Sequence, residues 1–217
     1  MRRAIFFALI FIAISQSIGA QAEQNYLFDG QLPSGTAAEH PLWTVVLQRH
    51  ADQQAQLSAC LDQLAACPRY LRGWQRIVKR AHGLNDHAKL VLINRFFNKR
   101  RYVDDVIDPV TQLGTWLTLS DFLEHGGDCE DFAIAKYFTL RELGFGPERL
   151  RILSAWDKKA RDYHAILAVN IDGRAHFLEN DNTVLHGRQL RPYAFLYAVN
   201  EDHWWYHSDG HRDQANL

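Results

Sequence analysis

Residues 126–144 constrain this chain more than any other stretch. They run from Gly126-Gly127-Asp128 through an apolar-rich segment to Gly144. Two glycines permit close backbone approach and an abrupt helix start. Asp128 is a good N-cap, and Gly144 stops the helix after residue 143. The chain changes character across this helix. Before it, apolar residues recur at helical spacing over 41–66, over 71–83 and from Asp86, read as an N-cap, through Phe97. Residues 100–120 show no clear period and read as loop. After it come strand-like runs at 151–156, 163–170, 174–181 and 194–199, with Asp172-Gly173 as a two-residue hairpin signal. Helices first and antiparallel strands last predict an α+β fold. A helical lobe (about 41–145) packs on an antiparallel sheet lobe (about 150–207).

The first 22 residues read as a targeting signal. Arg2 and Arg3 precede an apolar run of 11 residues from Ala4 to Ile14, and Ala20-Gln21-Ala22 supplies a small-residue cleavage site. The run is shorter than the ~20 residues of a membrane span, and no later stretch is apolar enough to span a bilayer. Export places the mature chain, from near Glu23, where disulfides form. Residues 23–40 read as an extended arm and 208–217 as a mobile tail. With 24 basic and 25 acidic residues, the chain has no electrostatic footprint for nucleic acid.

The chain has three cysteines. In one continuous helix, Cys60 and Cys67 would lie ~10.5 Å apart, too far for a bridge. A turn before Pro68 would bring them together; otherwise they are two buried thiols. Either way Cys129 is left over, and an unpaired cysteine in an exported protein is a candidate reactive thiol. It falls in the first turn of the 128–143 helix, where free N–H groups and the helix dipole favour a thiolate and suit an oxyanion. The bland alternative is a small buried residue opening a core helix. Asp128, Glu130 and Asp131 crowd this thiol and oppose its ionisation. A calcium ion on these three carboxylates would cancel that field, although acids there also complement the helix dipole.

A thiol nucleophile needs an imidazole and a group that orients it. With Asp172-Gly173 as the turn, His164 falls directly opposite Asp181 and diagonal to Glu179 on the same face of the hairpin.

The run GGDCEDFAIAKYFTLRELGF, then YHAILAV and FLEN, resembles the bacterial transglutaminase-like cysteine proteinases. Asn94 and Asn98 before Tyr102, Trp116, and YAVNEDHWW near the end extend the similarity over about residues 43–207. The resemblance implies a papain/transglutaminase-like fold, with Cys129 as nucleophile and His164 as base. It implies calcium at Asp128, Glu130 and Asp131. The family's third residue lies in a Leu-Asp-Asn motif, whereas this chain has Leu178-Glu179-Asn180. The resemblance therefore favours Glu179, while the hairpin register favours Asp181. It further implies a periplasmic endopeptidase cutting the N-terminal region of a large surface adhesin at a small-residue site. An inner-membrane cyclic-di-GMP receptor would sequester it, linking cleavage to biofilm attachment. A transferase or amidase acting on glutamine side chains or cell-wall peptides would use the same residues. A silent binding module fits the intact Cys129 and His164 poorly. Zinc catalysis lacks a supporting motif, although His203, His207 and His211 recur every four residues.

Overall fold

The computed structural model describes residues 27–28, 31–105 and 114–207. The segments read as a targeting signal (1–22) and a tail (208–217) lie outside them. Five α-helices are described: α1 (Pro41–Asp62), α2 (Arg72–Ala81), α3 (Asp86–Phe97), α4 (Leu119–His125) and α5 (Cys129–Glu142). Seven strands follow the order β1-β7-β6-β2-β3-β4-β5 in one sheet. They are β1 (Gly35–Thr36), β2 (Leu150–Asp157), β3 (Asp162–Ile171), β4 (Arg174–Leu178), β5 (Val184–Leu185), β6 (Tyr193–Val199) and β7 (His203–Tyr206). All neighbouring pairs are antiparallel, so the α+β expectation holds.

Helix α5 is the axis of the molecule. Every residue from Asp131 to Leu140 is buried, which an amphipathic surface helix cannot achieve. It shares one core with Trp43, Phe97 and Phe122 of the other helices and with Leu167, Val169 and Leu178 of the sheet. Fully burying each such side chain contributes roughly 1.5–3 kcal/mol, so the helix carrying Cys129 is held rigidly. Trp43 adds a polar stitch, its indole N–H donating to the Asn200 carbonyl at 2.7 Å. The opposite face of the sheet carries a smaller cluster of Leu153, Ile166, Phe177 and Trp205, which Leu27 covers.

Several expectations are met in detail. Asp172 and Gly173 take φ of 51° and 74°, and the hairpin pairs Leu167 with Leu178 and Ala168 with Phe177, the register read from the sequence. Gly144 has φ of 88°, and the Phe145 N–H returns to the Leu140 carbonyl at 3.1 Å to close α5. Helix α1 stops at Asp62, a 3-10 turn follows, and Cys60 bonds to Cys67 with Cα atoms 4.1 Å apart.

Others shift. Asn85, not Asp86, caps α3, accepting from the Ala88 N–H at 3.0 Å. Asp86 instead pairs with Arg149 at 2.6 Å. The arm is partly docked: Gly35 and Thr36 pair with Trp204 and His203, so the sheet begins before residue 41. The segment read as loop to 120 ends at Thr118. That residue caps α4 by accepting from the Asp121 N–H, while Arg49 of α1 grips Asp121 at 2.7 Å.

Candidate active site

Cys129 opens α5, as the local sequence requires. A side chain at Gly126, with φ of 83°, would collide with the Arg101 carbonyl, and one at Gly127 would collide with the Asp131 carboxylate. These close approaches let residues 101–103 lie alongside the turn, where the Val103 N–H donates to the Gly127 carbonyl at 2.9 Å. Cys129 is the free cysteine among the described residues. It is half-buried and lines a cavity of about 300 Å³ together with Trp116, Glu130, Ser154, His164 and Tyr197.

His164 reaches this cavity from β3, where it pairs with Ala155 of β2. Its Nε2 lies 2.9 Å and 3.2 Å from the two carboxylate oxygens of Glu179, the first residue past β4. The Tyr193 hydroxyl donates to Glu179 Oε1 at 2.7 Å, and the Asn180 N–H donates to Oε2 at 3.0 Å. Burial acts to raise the Glu179 carboxyl. The bonds from His164, Tyr193 and Asn180 outweigh it and hold the group below its ordinary value. Glu179 is thus an ionised, accept-only partner. In the neutral ring, Nε2 then carries the proton and Nδ1 is the acceptor.

Asp181 does not occupy the position that extrapolating the hairpin gave it. The ladder ends at Leu167–Leu178, because β4 stops there and the chain turns toward β5. Asp181 instead closes that turn, accepting from the Thr183 N–H at 2.9 Å and the Thr183 hydroxyl at 2.6 Å. A pairing register cannot be carried past the end of its strand.

The acids around Cys129 divide into two groups. Asp128, Cys129 and Glu130 converge, and the thiol donates to Glu130 Oε2 at 3.1 Å. Asp128 and Asp131 also converge with Asp105, one oxygen of each lying within 4.8 Å of the others. Asp131 accepts from the Leu117 N–H at 2.7 Å and the Asp128 N–H at 3.3 Å, while Asp128 Oδ1 is buried without a partner. Burial, and then the neighbouring carboxylates, push Asp128 up to about 8 and Asp131 up to about 7. Burial, Glu130 and Asp128 likewise push the Cys129 thiol up. Three hard oxygen donors, an orphaned buried carboxylate oxygen and mutual repulsion are the properties of a calcium site. The donor set fits that ion.

The profile of the family described as bacterial transglutaminase-like cysteine proteinase matches residues 59–212. The chain belongs to that family. No curated protein matches it. Among solved structures, calcium-bound LapG of Legionella pneumophila is 26% identical with a TM-score of 0.57, covering 64% of this chain and 78% of that one. A second LapG structure from the same organism is 25% identical with a TM-score of 0.57, covering 68% and 82%. An EGTA-treated form aligns with a TM-score of 0.56 at 26% identity, covering 64% and 76%.

Two members of the site escape sequence reasoning in this transglutaminase-like chain. Asp105 lies 23 positions before Asp128 in a segment without periodicity, so nothing local marks it. Tyr193 begins a strand and reads as an ordinary sheet aromatic. Its contact with Glu179 exists only because β6 and the chain end of β4 converge on His164.

The raised acids yield a pH prediction. Their folded-state values exceed the ordinary value of about 3.9, so the folded, cation-free protein holds more protons than the unfolded chain. Its stability should therefore fall as pH rises from about 4 to about 8. A calcium ion held by these acids would replace the protons, so its stabilisation should grow over the same range. Melting temperatures at pH 5, 6, 7 and 8, with calcium or EGTA, should show a gap that widens by several degrees. A gap that is absent or independent of pH would show that no cation binds these acids.

Proposed function

We propose that this chain is a calcium-dependent periplasmic cysteine endopeptidase that cuts the N-terminal region of a large surface adhesin at a small-residue site. The supporting observation is that Cys129 and His164 line one cavity while Glu179 fixes the imidazole. His164 Nδ1 accepts the thiol proton, and Cys129 Sγ attacks the peptide carbonyl. Free N–H groups in the first turn of α5 stabilise the oxyanion. The imidazolium protonates the leaving amine, and water activated by the same ring releases the acyl group from sulfur.

Asp105, Asp128 and Asp131 would hold calcium, with Glu130 beside Asp128. The ion supplies positive charge that offsets the acidic field on the thiol. Ser154, Tyr197 and Trp116 line the cavity in which an extended peptide with small residues at the scissile bond would lie. No helix of the described residues is long and apolar enough to cross a membrane. The proposed partner in regulation is an inner-membrane cyclic-di-GMP receptor that sequesters the protease.

Calcium-loaded protein incubated with a recombinant N-terminal adhesin region should give two fragments. Mass spectrometry should place the new terminus at a small residue. In ¹⁸O-water, the new C-terminal carboxylate should carry the label. Glutamine deamidation or cross-linking without backbone cleavage would replace this reading with the transferase or amidase one.

A further inference from the structure

We propose that Lys136 is a positioning residue for the His164 imidazole, acting through the main chain of Glu179; this rests on the proteolytic reading above. Lys136 lies two turns beyond Cys129 on α5 and is fully buried. Its Nζ donates to the Glu179 carbonyl at 3.0 Å and to Asn180 Oδ1 at 2.9 Å, and lies 5.8 Å from the Phe132 ring centre. Neither hydrogen-bond acceptor is a carboxylate. Burial pushes the ammonium down to about 7, against the pull of Glu179 and Asp181.

A buried cation is costly, and methionine would fill nearly the same volume without that cost. What lysine adds is a set of donors aimed at the residue that contacts the imidazole. The same Glu179 carbonyl accepts at 2.7 Å from Nδ2 of Asn98, the C-cap of α3, and Asn94 Nδ2 within α3 holds the Thr183 carbonyl at 2.9 Å. Side chains from two core helices thus clamp both ends of the 179–183 turn. This matters because Glu179 lies beyond the last rung of the β3–β4 ladder: its N–H still donates to the Thr183 carbonyl at 3.1 Å, closing the turn into β5, but β3 no longer pairs with it. Lys136 and Asn98 hold the Glu179 carbonyl from the helix side instead. The nucleophile and the anchor of its base are therefore tied to one rigid helix, α5.

The expected signature is the tautomer of His164. A carboxylate held at Nε2 keeps the proton there; a Glu179 backbone free to drift lets the proton distribute between both nitrogens. Ring ¹⁵N shifts of calcium-loaded protein at alkaline pH should show His164 as the pure Nε2–H form in the wild type. Lys136→Met should give a mixture, with kcat reduced about 10–100-fold and KM within about twofold. A lysine serving only stability would lower the melting temperature of that variant and leave tautomer and kcat unchanged, which overturns the proposal. If Lys136→Met does not fold, Asn180→Ala decides. It removes one of the two acceptors and should give partial mixing with a several-fold loss of kcat, whereas an unchanged tautomer overturns the proposal. The ring shifts need no substrate. Absence of proteolysis by the wild type would therefore defeat the functional reading separately, leaving the tautomer to judge Lys136.

Discussion

Cys129→Ala protein is expected to lose peptide-bond cleavage by on the order of 10⁴-fold or more while retaining its fold. The thiol is the nucleophile in this scheme, and the other two cysteines are committed to the Cys60–Cys67 bridge, so no second sulfur can replace it. The side chain is half-buried at a helix start, so truncation to alanine leaves a modest gap and keeps the Asp128 and Asp131 hydrogen bonds around the turn. Iodoacetamide gives an independent reading of the same atom. Because burial, Glu130 and Asp128 push the thiol up, alkylation at neutral pH should be slow in EGTA and faster with calcium. Glu130→Gln should also speed it in EGTA, since it removes a charge beside the sulfur. Retained cleavage by Cys129→Ala, or alkylation indifferent to both calcium and Glu130, would remove this residue from the mechanism.

The legible parts of the sequence are those governed by local chemistry. The start of α5 could be read because glycine and aspartate act within a few residues of themselves. The hairpin could be read because Asp172-Gly173 selects one turn type and hence one register. The helix spanning Leu119–His125 is not legible although Thr118 and Asp121 form a capping pair, because seven residues give too little apolar periodicity to stand out. The acidic site could be half read. Asp128 and Asp131 are neighbours in sequence, whereas Asp105 reaches them through the crossing of residues 101–103 beside Gly127. At Glu179 the resemblance and the hairpin register point to different residues. Its position follows from where β4 ends, which depends on Lys136, Asn94 and Asn98 drawing the chain toward the helices. Those are tertiary contacts across 43 to 89 residues of sequence, and no local pattern encodes them.

Glu179→Gln is expected to lower kcat by several orders of magnitude and Asp181→Asn to leave it within about threefold of the wild type. Both changes are nearly isosteric, so packing is preserved and charge is the variable. Glu179 contacts the imidazole at 2.9 Å from a buried position; in the proposed mechanism its charge fixes the Nε2–H tautomer and stabilises the imidazolium formed when Cys129 attacks. An amide there can instead present its N–H₂ to Nε2, favouring the tautomer whose Nδ1 carries a proton and cannot accept one from the thiol. In serine proteases the corresponding loss is about 10⁴-fold. Asp181 binds Thr183 in an exposed turn, and an asparagine oxygen can accept the same two bonds, so little should change. Tyr193→Phe removes one neutral donor from Glu179, and at about 1 kcal/mol should cost roughly fivefold. Single-turnover cleavage measured on folded, calcium-loaded variants separates these outcomes. A large loss confined to Asp181→Asn would mean that the turn rearranges and the extrapolated register governs the working enzyme. Near-wild-type rates for both would mean that neither carboxylate orients His164 during the reaction, and the Lys136 clamp would then have nothing to position.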